Sequence, residues 1–323
     1  MSRVEDVFDQ IREAAAFVAR DAQLVRLRED RIDEYAASLA PGSLPDPGYD
    51  TEHHFLGNEA DTAAFQLALD SINFGSGYFP HLRKRPGMSG YFTVASSLKD
   101  AWDEEGAFGG GQMRALQTMD CARIFGQTGN WGAAMELMAL FAQALNDLGY
   151  WLGDRYDDDP LGPIADANGS AARLAALVAV MPFYQDVATY ENRAVPIYKR
   201  AQILVADLTL AFAGEGPGSF HDRDRLTIFA DNLVPHVLQV DGLLEYDPGL
   251  LERIARRELI PPGSAEEVEI RAVSIHAVEL LVDSFRAAGV ATSARELDYL
   301  LWNRGLEEKY KTIPRHRTRT VYY

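Results

Sequence analysis

The chain has a single cysteine, Cys121, in 323 residues, which excludes an internal disulfide and a zinc site built from cysteines. A lone thiol fits a reducing compartment, so a cytoplasmic location is expected. Positive charge is scarce as well: 31 Lys and Arg against 48 Asp and Glu leave a net charge of −17. Such a surface repels duplex nucleic acid and anionic membranes unless a local basic patch overrides the global field. Long apolar runs are missing. LAALVAVM at 174–181 falls far short of the roughly 20 residues a membrane-spanning helix needs. The acidic, amphipathic start does not read as a signal peptide.

Other absences narrow the chemistry. No His/Asp cluster has metal-ligand spacing, and the adjacent His53 and His54 point apart on any regular element. Asp157, Asp158 and Asp159 lack the spacing of a calcium loop and read as a solvated helix end. GAFGGG at 106–111 follows no strand and lacks the dinucleotide-binding spacing. No metal or cofactor is therefore expected. The eight β-branched strands of a (β/α) barrel are absent.

What is present is mostly helical patterning. At 47% hydrophobic content the chain can bury roughly 75% of its unfolded surface. Helical periodicity runs over 4–38, 62–73, from near Thr93, over 112–153 with one turn, over 171–180, 264–289 and from 293 onward. APGSLPDPG at 40–48 is a loop, and Ser264 with Glu267 forms a capping box. These signals predict an all-α or predominantly α fold with at most a few short strands. It is read as one compact helical unit, or as two lobes at about 1–190 and 191–323.

Val195–Asp241 draws attention first. A helix from after Pro196 to about Phe212 is followed by a turn at Gly214, Gly216, Pro217 and Gly218. A second helix capped by Asp222 or Asp224 follows. Ile228, Asp231, Pro235 and Leu238 then share one face, with Pro235 kinking the helix four residues beyond the acid. An acid facing inward at a kink needs a cation, a donor or a ligand, and Lys199 can supply the cation. Spacing alone leaves open the plainer reading, a solvated Asp231 and a surface Lys199.

Two other stretches admit two readings each. FGSGYFP, 74–80, puts three aromatics on a glycine-rich loop, to stack on a planar ligand or to plug the core. Residues 309–323 hold Lys309, Lys311, Arg315, Arg317 and Arg319 with no acid. Alternating arginines on an extended tail can clamp a phosphate, or simply lie on an acidic body.

Six segments in order then resemble one family. They are INFGSGYFP at 72–80, GMSGYFTVASSLKDA at 87–101, YKRAQILVADL at 198–208, LTIFADNLVPHVL at 226–238, GSAEEVEIRAVSIHAVELL at 263–281 and PRHRTRTVYY at 314–323. Together they resemble the queuosine salvage proteins, queuosine 5′-phosphate N-glycosylases/hydrolases, over nearly the full chain. The first segment departs from the cysteine or tryptophan more usual there. The resemblance implies a fold similar to helix-hairpin-helix DNA glycosylases, although the LPGVG hairpin is missing. It also implies a small nucleotide substrate, queuosine 5′-monophosphate, from which queuine is released for return to tRNA.

On that resemblance, Asp231 stabilises the oxocarbenium ion formed as the base departs, or activates the attacking water. Lys199 holds Asp231 ionised, and Asp241 is a second acid for catalysis or for the base. Phe74 and Tyr78 stack on the base, with His54 in the same pocket, and His316, Arg317 and Arg319 bind the phosphate. Of Glu269 and Arg271, one lines the pocket and the other braces the tail. No duplex nucleic acid or membrane partner is expected, and the oligomeric state stays open. A non-catalytic helical module that binds a nucleotide or protein partner through the tail is the competing expectation.

Overall fold

The computed structural model describes residues 6–40 and 48–323. Val4, the start of the first expected helix, and most of the loop expected at 40–48 lie outside the described residues. The chain is predominantly helical, with four short strands among the described residues. It divides into two units. Unit 1 comprises Met1–Asp46, Asp186–Lys199 and Asp222–Arg319, and unit 2 comprises Pro47–Gln185, Arg200–His221 and Thr320–Tyr323.

Unit 1 is built on the 23-residue helix Ala265–Ala287, against which Val7–Asp21 and Ile32–Ser38 pack. Val7–Asp21 buries Phe8, Ile11, Ala15 and Val18, a three-and-four spacing that gives one apolar stripe, and Asp6 caps it at the N–H groups of Phe8 and Asp9. Ser264 caps the long helix through the Glu267 N–H. The expected box is only half closed, because the Glu267 carboxylate turns to the Gly263 N–H at 3.1 Å. Ser293 and Glu296 do close a reciprocal box on Ala294–Arg304. Two antiparallel ribbons complete the unit, Val25–Leu27 with Leu244–Tyr246 and Val187–Tyr190 with Arg193–Pro196. The second turns at Glu191 and Asn192, both with positive φ, the geometry that matches strand twist in a two-residue hairpin.

Unit 2 centres on the 24-residue helix Ala133–Tyr156, packed by Glu59–Ser71, Gly110–Ala115 and Thr118–Ile124. Gly149 permits the closest of these approaches, since a Cβ there would stand 2.7 Å from the Gly110 carbonyl oxygen. The chain end is buried here, with the Tyr323 carbonyl accepting the Gly75 N–H at 3.0 Å.

One expectation from the sequence fails in unit 1. The second helix of the Val195–Asp241 stretch is only Val234–Val240, and residues 226–233 are an irregular loop. Asp222 to Leu226 forms no α-helix start, only the short 3-10 turn Arg223–Arg225. Asp231 is therefore not on a kinked helix. Its Oδ1 accepts the Leu233 N–H at 2.6 Å, a side-chain turn that competes with helix formation. Pro235 lies in the first helical turn, where its missing N–H breaks no bond.

Candidate active site

The loop that carries Asp231 is held at three points. The Phe229 N–H donates to Asp298 Oδ1 at 2.8 Å, and Arg271 Nε donates to the Ala230 carbonyl at 2.9 Å. Asn232, itself buried, places Nδ2 3.5 Å from the His316 carbonyl. With its neighbours fixed, Asp231 sits half-buried at the middle of the loop.

Lys199 arrives by a strained turn. After the Arg193–Pro196 strand, the Asp186 carbonyl accepts the N–H groups of Ile197 at 2.9 Å and Tyr198 at 3.4 Å, and its Oδ2 accepts that of Lys199 at 3.1 Å. Tyr198 takes φ 48°, a left-handed conformation that costs a non-glycine residue on the order of 1 kcal/mol. Lys199 is thereby set, buried, at the first position of the helix Lys199–Ala211.

Asp298 joins the two. Burial pushes its carboxyl up to about 7; the Phe229 N–H opposes that, the Asp231 charge adds to it, and the Lys199 charge opposes it. The Asp231 and Lys199 charges thus both act on one buried carboxyl. Asp298 was missed in the sequence, yet it carries the signal used for Asp231. Ala294, Leu297, Asp298 and Leu301 are all buried at helical spacing, so the acid lies on an apolar stripe. Asp186 carries no such signal.

The tail alternates as an extended segment does. His316 and Thr318 are buried, while Arg317 and Arg319 are partly exposed. The Arg317 carbonyl accepts the Ile260 N–H at 2.8 Å, and its Nη2 donates to the Arg257 carbonyl at 3.3 Å. Burial lowers His316 to about 3, with the charges of Arg271, Arg315 and His236 adding to the effect. It is neutral at physiological pH.

Asp241 stands in a different network. Its carboxylate accepts from Tyr35 Oη, Tyr310 Oη and Lys309 Nζ, each at 2.8 Å, and lies 3.3 Å from Arg304 Nε. Burial pushes this carboxyl up, but those donors outweigh it and hold it below the usual range. The geometry supports a framework role. Asp241→Asn is expected to lower unfolding free energy by about 1–3 kcal/mol in urea titration. A loss of kcat in fully folded variant protein would instead return Asp241 to the chemistry. Glu269 is likewise saturated, by the N–H groups of Gln23, Leu24 and Val25 and by Tyr190 Oη. It anchors the Val25–Leu27 strand, and Arg271 braces the Asp231 loop and Asp186.

Three candidates belong to unit 2. Phe74 is a core residue, edge-on to Phe141 at 5.2 Å and with the Arg200 guanidinium 4.9 Å from its ring centre. Tyr78 is buried and donates to Glu136 at 3.2 Å. His54 meets Tyr91 Oη at 2.9 Å, and burial lowers it to about 4, so its imidazole is neutral. Its neighbour His53 turns to Asp50 at 2.7 Å. The two rings diverge.

A family model described as "Queuosine salvage protein" matches residues 53–323. A queuosine 5′-phosphate N-glycosylase/hydrolase from Sphaerobacter thermophilus is 38% identical over 311 residues, covering 95% of this chain and 95% of that protein. Proteins of the same description from Dictyostelium discoideum and Bos taurus are 43% identical over 264 residues and 31% identical over 335 residues. The first spans 81% of this chain and 78% of its own length, the second 97% and 98%.

Proposed function

The chain belongs to the queuosine salvage protein family, and from that premise we propose that it hydrolyses the N-glycosidic bond of queuosine 5′-phosphate and releases queuine. The supporting observation is the convergence of Asp231, Asp298 and Lys199 in one braced cluster of unit 1. When the glycosidic bond breaks, its electron pair leaves with the base and positive charge grows on the ribose. Asp231 is the carboxylate that answers this charge and receives a proton from the attacking water. Lys199 is the cationic member of the cluster. A 7-deazapurine has carbon where a purine has a basic ring nitrogen, so the departing charge spreads over its remaining nitrogen and oxygen atoms and requires donors on the base edge.

Arg317 and Arg319, with neutral His316, take the 5′-phosphate, and the 5′-monophosphate is preferred over the nucleoside. A helix-hairpin-helix glycosylase-like arrangement is the finer fold reading, supported by the predominance of helices. The net charge of −17 disfavours duplex DNA as a substrate, and the lone cysteine fits the cytoplasm. Among the described residues no helix is long and apolar enough to cross a membrane.

Chromatography of the purified protein incubated with queuosine 5′-monophosphate tests this. Free queuine is expected with and without EDTA, and Arg317→Gln with Arg319→Gln is expected to raise KM by about tenfold or more. Tight binding without any base release would instead favour the binding-module reading.

A further inference from the structure

The two candidate catalytic residues are far apart in sequence, and one buried guanidinium connects their backbones. Arg271 is 1% exposed. Its Nη1 and Nη2 donate to Asp186 Oδ1 and Oδ2 at 2.9 and 2.6 Å, its Nη1 also to Glu267 Oε1 at 3.2 Å, and its Nε to the Ala230 carbonyl at 2.9 Å. Asp186, 4% exposed, shares Oδ2 with the Lys199 N–H at 3.1 Å. The connection therefore runs from the Lys199 amide through the Asp186 carboxylate and the Arg271 guanidinium to the Ala230 carbonyl, one peptide from Asp231.

We propose that the Arg271–Asp186 pair is a positioning element shared by Lys199 and Asp231, fixing both backbones at once. The proposal rests on the reading of those two residues as catalytic. Buried ion pairs contribute little net stability, and apolar replacements of the same volume are often as stable. Three charged side chains, Arg271, Asp186 and Glu267, kept at 4% exposure or less call for another explanation. Geometry supplies one. A planar fork can grip a carboxylate with two nitrogens and still offer Nε to a carbonyl, which a lysine cannot do. The left-handed Tyr198 supports the same reading, because Asp186 gathers the three amides of residues 197–199 around it. Strain of this kind persists only where surrounding contacts over-determine it.

Arg271→Lys and Asp186→Asn test the proposal, each alone and each combined with Asp231→Asn, with rates expressed per folded molecule. The single variants are expected to lose about 10²-fold in kcat, the scale of a small misplacement of reacting groups. Their KM should change less than about threefold, since a positioning residue acts on the transition state. In the Asp231→Asn background the further loss should shrink to under about threefold, because the pair acts through that residue.

Hydrogen exchange gives a readout independent of turnover. Amides of residues 197–199 and 229–232 should lose protection together in either variant. Should Arg271→Lys fail to fold, Asp186→Asn, which keeps an oxygen acceptor, carries the test. Unchanged kcat per folded molecule, a full 10²-fold loss repeated in the Asp231→Asn background, or loss of protection confined to one stretch would each overturn the proposal. If Asp231→Asn alone retained wild-type kcat, the catalytic reading would fall, and the exchange result would still decide whether the pair couples the two backbones.

Discussion

Asp231→Asn is expected to lower kcat for queuine release by about 10²–10³-fold while leaving KM within about threefold of wild type. The substitution is close to isosteric, and the amide oxygen can still accept the Leu233 N–H that Asp231 Oδ1 now accepts at 2.6 Å. The clamps at Phe229 and Ala230 involve only the backbone of the loop, so they persist. What the variant loses is the negative charge. A charge that stabilises a developing oxocarbenium ion acts in the transition state far more than in the bound ground state, which separates kcat from KM. Rapid-quench sampling of queuine against time gives both constants. Undiminished release would shift the role to another acid of unit 1, and Asp298 is the first to examine.

The chain's helical character was legible because periodicity and caps agree along most of its length, as in Val7–Asp21 with Asp6 before it. The local structure around Asp231 was not. Ile228, Asp231, Pro235 and Leu238 have helical spacing, but a pattern of four residues does not reveal that Asp298 and Arg271 satisfy the backbone groups at 229 and 230. Those partners lie 69 and 41 residues away, and the loop exists because of them. For Asp231 the inference of an acid requiring an answer rested on the wrong local structure, because the residue lies in a loop and not on a kinked helix. For Lys199 the sequence leaves two readings, a cation that answers Asp231 or a surface lysine. Its placement depends on Asp186, thirteen residues earlier and separated from it by a ribbon. For Asp241, nothing in its sequence neighbourhood announces Tyr35, Arg304, Lys309 and Tyr310 as its partners.

Asp298 yields the other large effect, one that depends on pH. Its carboxyl is held at about 7 by burial against an ordinary value of 3.8. Between about pH 4 and about pH 7 the folded chain therefore keeps a proton that the unfolded chain has released. Stability must fall as pH rises across that window, and forcing the ionisation opposes folding by on the order of 4 kcal/mol. Asp298→Asn removes the titration and keeps an oxygen for the Phe229 N–H. Urea unfolding at about pH 4 should find wild type and variant alike, and at about pH 8 the variant should be the more stable by a few kcal/mol. Rate carries the same signature. While Asp298 is protonated, the Lys199 charge serves Asp231 alone; once Asp298 ionises, two carboxylates compete for it. Wild-type kcat should therefore decline above about pH 7, and the decline should be absent from Asp298→Asn. Parallel stability curves for the two proteins would mean that the buried carboxyl is already ionised at neutral pH. The Asp231–Asp298 pair would then hold two negative charges, with Lys199 shared between them throughout.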